Sequence, residues 1–202
     1  MLASSFELLK NHEIPVAAYG TAKNFQEATL IAANIGFPLV LKIDSDEILH
    51  KTDVGGVKIV YNEGSFEKAF RELFALGRNN TRNFSVVVQE LVNGYEAILG
   101  AKQDEQFGKV LMFGTGGIYT QIVKDVTFRL VPLERNDAVE MVQETSVSRI
   151  LNYRGNKISL QDLADVILKV SEMVEKEGMK ELDINPLFLG EKIVAADARV
   201  LY

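Results

Sequence analysis

At 202 residues, with 47% apolar and 25% charged side chains, the chain is long enough for a substantial core and far from the composition of disorder. A net charge of −6, with the acidic residues dispersed, excludes the electrostatic footprint of a nucleic-acid or anionic-membrane binder, so a polyanionic ligand needs a locally built site. There is no cysteine, which rules out disulfides and thiolate metal sites, and no apolar run approaches the roughly 20 residues of a membrane helix.

The N-terminal stretch MLASSFELLKNHE lacks a basic-then-apolar signal pattern, so a cytoplasmic protein is expected. Within it, SSFELLKNHEI predicts a short helix capped by Ser4 or Ser5. A second helix is predicted from Asn24, where Glu27 completes a capping box, to Gly36; Pro38 then releases the chain into the strand LVLKI. Before the next strand, VKIVY at 57–61, lies the 13-residue loop DSDEILHKTDVGG, and ordered loops of that length are usually functional.

A helix from about Ser65 to Arg78 and the strand SVVVQELV follow, and Asn93-Gly94 is a strong hairpin-turn pair that marks the boundary between two lobes, 1–92 and 93–202. The second half reads as strands YEAILGAKQD, KVLMFG, IYTQIVK and VTFRLV, helices near 135–151, a helix from Ser159 to Lys176 with Asp162 at its third position, and strands KELDINPLFLG and KIVAADARVLY. Strands and helices in mixed blocks predict an α+β fold rather than a regular βαβ alternation.

The last two strands fix their own register. If Gly190, Glu191 and Lys192 form a three-residue turn, Asn185 stands opposite Asp197 and Asp183 opposite Arg199, while Leu182, Ile184, Pro186, Phe188, Val194, Ala196, Ala198 and Val200 share the reverse face. A two-residue turn scatters those polar groups over both faces and buries half of them, so the hydrophobic pattern selects the first register. Two carboxylates and an amide oxygen on one surface suit a hard cation such as Mg²⁺; the competing reading is a solvated polar face with an Asp–Arg pair.

Other polar groups divide in the same way. The loop of residues 44–57 carries His50, Lys51, Asp53, Gly55 and Gly56; adjacent glycines let backbone N–H groups approach phosphate closely, and a neutral imidazole accepts a phosphoryl group, although a loop histidine is more often a bystander. Lys42, inside an apolar strand, is either a phosphate-binding lysine or one that faces solvent from an edge strand. His12 has no acidic cluster near it in sequence and reads as a surface residue, and the GTGG run at 114–117 is not a dinucleotide fingerprint.

Taken together, FPLVLKIDSDEILHKTDVGGVKIVY, VVVQELVNGYEAILGAKQDEQFGKVLMFGTGGIYTQIVKDVTFRLVPL, ELDINPLFL and AADARV closely resemble the β subunit, or β domain, of ADP-forming acetyl-CoA synthetases over the whole chain. The resemblance implies an ATP-grasp fold similar to the nucleotide-binding part of succinyl-CoA synthetase, two α+β lobes with the nucleotide in the cleft between them. It implies ATP or ADP and Mg²⁺ as ligands, with Lys42 on the phosphates, Gly55 and Gly56 in the loop covering them, the backbone of Glu90, Leu91 and Val92 at adenine, and Glu96 near the sugar and phosphates. The ion falls to Asn185 and Asp197, with Asp183 touching it or holding one of its ligands.

His50 matches the histidine of the family's HK(S/T)DVGG motif, which implies a phosphate relay in acyl-CoA + ADP + phosphate ⇌ acid + ATP + CoA. The remaining machinery implies a partner, a CoA-binding α subunit or fused α domain that carries the first phosphohistidine, and hence a hetero-oligomer or a longer fused chain. Arg129 is a candidate further positive group. Two other settings share the scaffold: a regulatory nucleotide-binding domain of a protein acyltransferase, against which the intact HKTDVGG argues, and a free-standing carboxylate–amine ligase, which needs no relay histidine.

Overall fold

The structure, a computed structural model, describes residues 1–48, 51, 54–117, 125–153 and 157–202. The fold is α+β, as expected, and forms two compact units: Met1–Ser4 with Ala17–Leu91, and Ser5–Val16 with Val92–Tyr202.

The first unit is built on strands β1 (Tyr19–Ala22), β2 (Leu39–Asp44), β3 (Val57–Val60) and β4 (Ser85–Glu90), in the antiparallel order β1-β4-β2-β3. Helices α2 (Phe25–Ile35) and α3 (Glu63–Asn80) cover one face, burying Leu39, Leu41, Val86 and Val88 with Phe66, Phe70 and Leu73. Phe25, Phe37, Phe66, Phe70, Phe74 and Phe84 join in edge and stacked contacts at 5.1–5.9 Å between ring centres, spacings at which aromatic pairs add stability beyond area burial. The α2 caps follow the sequence in part: the Asn24 side chain accepts from the Glu27 N–H, and Gly36 ends the helix with φ 86°. The Glu27 carboxylate accepts from the Lys23 N–H and the Asn24 side-chain amide rather than closing the expected box on the Asn24 backbone. The sequence pattern had no signal for β1, which has four residues and only one fully buried side chain, Ala22.

The first helix, α1 (Leu2–Asn11), starts ahead of both serines expected to cap it. Asp44, buried at the end of β2, supplies the cap by accepting the N–H groups of Leu2 at 2.6 Å and Ala3 at 3.1 Å.

In the second unit, β5 (Tyr95–Asp104), β6 (Gly108–Thr115), β7 (Val126–Leu130), β8 (Glu181–Leu189), β9 (Ile193–Ala195) and β10 (Ala198–Leu201) form a sheet of order β10-β8-β5-β6-β7, with β9 on β8. The strand expected at 118–124 lies outside the described residues. Helices α4 (Arg135–Gln143), α5 (Val147–Leu151) and α6 (Leu160–Lys176) complete the unit. Ser159 and Asp162 cap α6 reciprocally, and at its other end Lys109 Nζ donates to the carbonyls of Val174, Glu175 and Glu177. Segment 5–16 belongs to this unit through a parallel bridge from Val16 to Ala195, a Lys169–Glu13 ion pair and a contact from His12 Nε2 to Glu177 at 2.9 Å. His12 is therefore a partnered residue rather than a plain surface one.

Asn93-Gly94 is not a hairpin turn, because β4 and β5 lie in different sheets. Gly94 is required by close approach instead: a Cβ there would lie 2.7 Å from the Leu189 carbonyl oxygen, and one on Gly190 would lie 2.4 Å from that of Asn93. Among the described residues no helix is long and apolar enough to cross a membrane.

Candidate functional site

Lys42 lies on β2, and β2 is an interior strand: Lys42 pairs with Val57 on one side and Val87 on the other. The solvent-facing edge-strand alternative is thereby removed. By strand alternation Lys42 shares a face with Val40 and Asp44, away from the leucines that pack on α2 and α3, and cross-strand neighbours place Ser85, Val87 and Gln89 on that same face. Lys42, Asp44, Ser85 and Gln89 are all buried there, so this face is built to hold polar groups out of water.

The two loop glycines have different reasons to be glycine. Gly56 is packed: its N–H donates to the Lys51 carbonyl at 2.6 Å, its carbonyl accepts from Ile43 N–H at 2.9 Å, and a Cβ would sit 2.8 Å from the Lys51 oxygen. Gly55 takes a left-handed φ of 71° with open space where a Cβ would point. Gly55 is therefore required by its backbone conformation and Gly56 by its packing. His50, Thr52 and Asp53 lie outside the described residues.

At the end of β4, Glu90 is spent on the scaffold: its Oε1 accepts from Ala18 N–H at 2.8 Å and its own N–H donates to the Ala18 carbonyl at 2.9 Å. Leu91 N–H donates to Pro38 at 3.2 Å. Any base recognition at Glu90–Val92 thus falls on main-chain groups these bonds leave open.

In the second unit the final hairpin takes the predicted register. Leu189 pairs with Ile193 across Gly190–Lys192, Leu187 with Ala195 and Asp183 with Arg199, and Asn185 N–H reaches the Asp197 carbonyl at 3.2 Å. One expectation fails beyond Asn185. Leu182 and Ile184 are buried, but so are Leu187 and Leu189, whereas Pro186 and Phe188 are only half-buried. The cause is a register irregularity against β5, between Ala97 and Leu99, which exchanges the inward and outward faces of β8.

Asp183 and Asp197 are half-buried and Asn185 is exposed on the polar face. Burial pushes the Asp183 carboxyl above the ordinary carboxylate range; the neighbouring Asp197 and Glu181 add to the rise and Arg199 opposes it. Among the described residues no three His, Cys, Asp or Glu converge as a metal cluster. Two repelling carboxylates beside an amide oxygen do fit Mg²⁺, which binds through one or two carboxylates and keeps waters and phosphates for its remaining positions.

Arg129 is committed elsewhere. Its Nη2 donates to Glu144 Oε1 at 2.5 Å and lies 3.5 Å from Glu140 Oε2, and Thr127 Oγ1 donates to the same Glu144 carboxylate. It ties β7 to α4 and is no free cation for phosphate. The sequence reading also missed Asp44 as a helix cap and the linkage of Thr115, Asp125 and Tyr95, because both join residues distant along the chain.

A sequence profile of the ATP-grasp domain family matches residues 2–201. The chain is 41% identical over 204 residues to the β subunit of ADP-forming acetate–CoA ligase I from Pyrococcus furiosus, covering 96% of this chain and 88% of that subunit. It is 43% identical to ADP-forming acetate–CoA ligase I of Archaeoglobus fulgidus, covering 92% of this chain but only 28% of that longer protein. It superimposes with a TM-score of 0.84 and 32% identity, over 100% of this chain and 91% of the other, on an acetyl-coenzyme A synthetase of Ca. Korarchaeum cryptofilum solved with coenzyme A and Mg-AMPPCP, its phosphohistidine segment pointing towards the nucleotide-binding site. The chain belongs to the ATP-grasp domain family, as the β-subunit, nucleotide-binding part of the ADP-forming acetyl-CoA synthetases.

Proposed function

We propose that this chain performs the nucleotide half-reaction of an ADP-forming acyl-CoA synthetase, moving a phosphoryl group between His50 and ADP with Mg²⁺ present, in association with a CoA-binding α part. The observation that carries the reading is the polar trio Asp183, Asn185 and Asp197, whose oxygen donors suit a phosphate-bound Mg²⁺. The relative crystallised with Mg-AMPPCP supports the same assignment of ligand class.

Phosphoryl transfer asks a protein chiefly for positioning and charge neutralisation. Lys42 supplies a cation on a strand held from both sides, and Gly55, with its left-handed φ, supplies a loop amide to a phosphate oxygen. Asp183, Asn185 and Asp197 hold the ion, which when bound offsets the charge of the phosphates. Glu96 receives the sugar, and the main chain of Glu90, Leu91 and Val92 meets the base. In the direction of ATP synthesis the N–P bond of phosphorylated His50 breaks as a terminal oxygen of ADP bonds to phosphorus, and the imidazole keeps the electron pair. His50 receives its phosphoryl group from the α part, where acid and CoA are handled.

The test pairs His50→Asn with its α part and measures ADP binding and ATP formation separately. ADP affinity is expected to stay within a few-fold of the parent while ATP formation is lost; near-normal turnover by the variant removes the relay role.

A further inference from the structure

The glycine run at 114–117 has no task in the half-reaction above, yet its residues are tightly placed. Thr115 anchors it: its N–H donates to the Asp125 carbonyl at 3.0 Å, its Oγ1 donates to Asp125 Oδ2 at 2.5 Å, and the same hydroxyl accepts from Tyr95 OH at 3.0 Å. Asp125 is fixed in turn by the Ser146 N–H, at 2.9 Å from Oδ2 and 3.2 Å from Oδ1.

The next two residues both close on Glu96. Gly116 N–H donates to the Glu96 carbonyl at 2.7 Å, and a Cβ on Gly116 would meet the Ala97 carbonyl at 2.9 Å. Gly117 has φ +73°, and a Cβ on it would lie 2.7 Å from Glu96 Oε2 and 3.5 Å from Cδ. One glycine grips the backbone of Glu96, and the other leaves the volume in which its carboxylate lies. Glu96 is exposed, so without such a wall its side chain would sample many rotamers.

We propose that Gly116 and Gly117, anchored through Thr115 to Asp125 and Tyr95, are positioning residues that orient the Glu96 carboxylate to read the ribose hydroxyls of the bound nucleotide. The inference rests on the assignment of Glu96 to the nucleotide sugar. A carboxylate aimed in advance accepts hydroxyl hydrogen bonds without first losing side-chain entropy, so the device acts on the discrimination between ribose and its deoxy analogue rather than on binding of base or phosphates. At Gly117 the atom that would give way to a new Cβ is the flexible end of Glu96, so the substitution is read out at that carboxylate.

The experiment compares binding of MgADP and 2′,3′-dideoxy-ADP with Mg²⁺ to the chain by calorimetry. The parent is expected to prefer ADP by about tenfold, the worth of one charge-assisted hydrogen bond. Glu96→Ala removes the preference, Gly117→Ala reduces it several-fold, and adding Glu96→Asp to Gly117→Ala restores part of it by withdrawing the carboxylate from the new methyl. Gly108→Ala controls for backbone strain, since Gly108 has φ +78° with nothing within 4 Å of its Cβ position, and it is expected to keep full discrimination. Thr115→Val, which cuts the anchor without adding volume, is expected to lower discrimination as Gly117→Ala does and serves if that variant fails to fold. Undiminished discrimination in Gly117→Ala or Thr115→Val, with Glu96→Ala losing it, overturns the positioning role and leaves Glu96 on the sugar. Undiminished discrimination in Glu96→Ala overturns both.

Discussion

At the scale of single residues, burial separates groups placed for the fold from groups placed for a ligand. Asp44 is buried and accepts two amides at the start of α1, which accounts for it structurally. Lys42 is buried on the same face of β2, and the resemblance assigns its charge to the phosphates of the nucleotide. Lys42→Met keeps the length and removes the charge, so MgADP affinity should fall by more than about tenfold while the urea midpoint stays level or rises. A fall in both together would mark Lys42 as a structural group. On the proposed metal assignment Asp197→Ala should weaken binding of ADP in Mg²⁺ far more than in EDTA; an equal loss in both titrations would defeat that assignment. The pairing of Asn185 with Asp197 was legible in the sequence because an all-apolar reverse face leaves one register. The interior place of Lys42 was not, since it depends on β3 and β4 closing on both sides of β2.

At the scale of elements, the caps of α2 and α6 were largely legible, whereas the Ser4 or Ser5 cap of α1 and the Asn93-Gly94 turn gave way to contacts from distant residues. The caps of α2 and α6 are short-range hydrogen bonds written within four residues; the reciprocal pair formed at α6, while at α2 Glu27 turned to the Lys23 N–H instead. The exchange of faces along β8 comes from one extra residue in β8 itself, where Ile184 to Leu187 spans the two steps from Leu99 to Ala97 on β5, and Pro186 within that stretch is the one local sign of it. Arg129 reads as a loose cation until α4 is placed beside β7. Its hydrogen bond, followed by that of Thr127, holds the Glu144 carboxyl below the ordinary carboxylate range. A lowered folded-state value means stability that is present above the unfolded value and is lost as pH falls through the folded one. Arg129→Gln should therefore unfold more easily than the parent at pH 7, by about 1 kcal/mol or less because Glu144 is nearly half exposed, and the gap should close in acid as both proteins protonate the carboxylate. Denaturant titrations across that range check the sign; a gap that widens in acid would contradict it.

At the scale of the whole molecule, the two compact units are not two consecutive lengths of chain. Residues 5–16 belong with 92–202, and they bring Phe6, Leu9 and Ile14, each essentially fully buried. They also bring the His12–Glu177 contact, the Glu13–Lys169 pair and the hydrogen bond from Ala195 N–H to the Pro15 carbonyl at 2.9 Å. Removing one large buried side chain commonly costs about 2–5 kcal/mol, and a domain of this size holds only about 5–15 kcal/mol in all. Losing three such side chains and the β9 partner together is comparable to that whole margin. A fragment of residues 92–202 should therefore show no cooperative thermal transition, although it carries every strand of the six-stranded sheet. Supplying residues 5–16, as an added peptide or joined through a flexible linker, should restore the transition, and the peptide's effect should saturate with concentration because it binds only the folded form. Cooperative melting of 92–202 alone near the parental temperature would show that the N-terminal segment is an accessory, and the sheet with α4 and α6 would then be sufficient to fold.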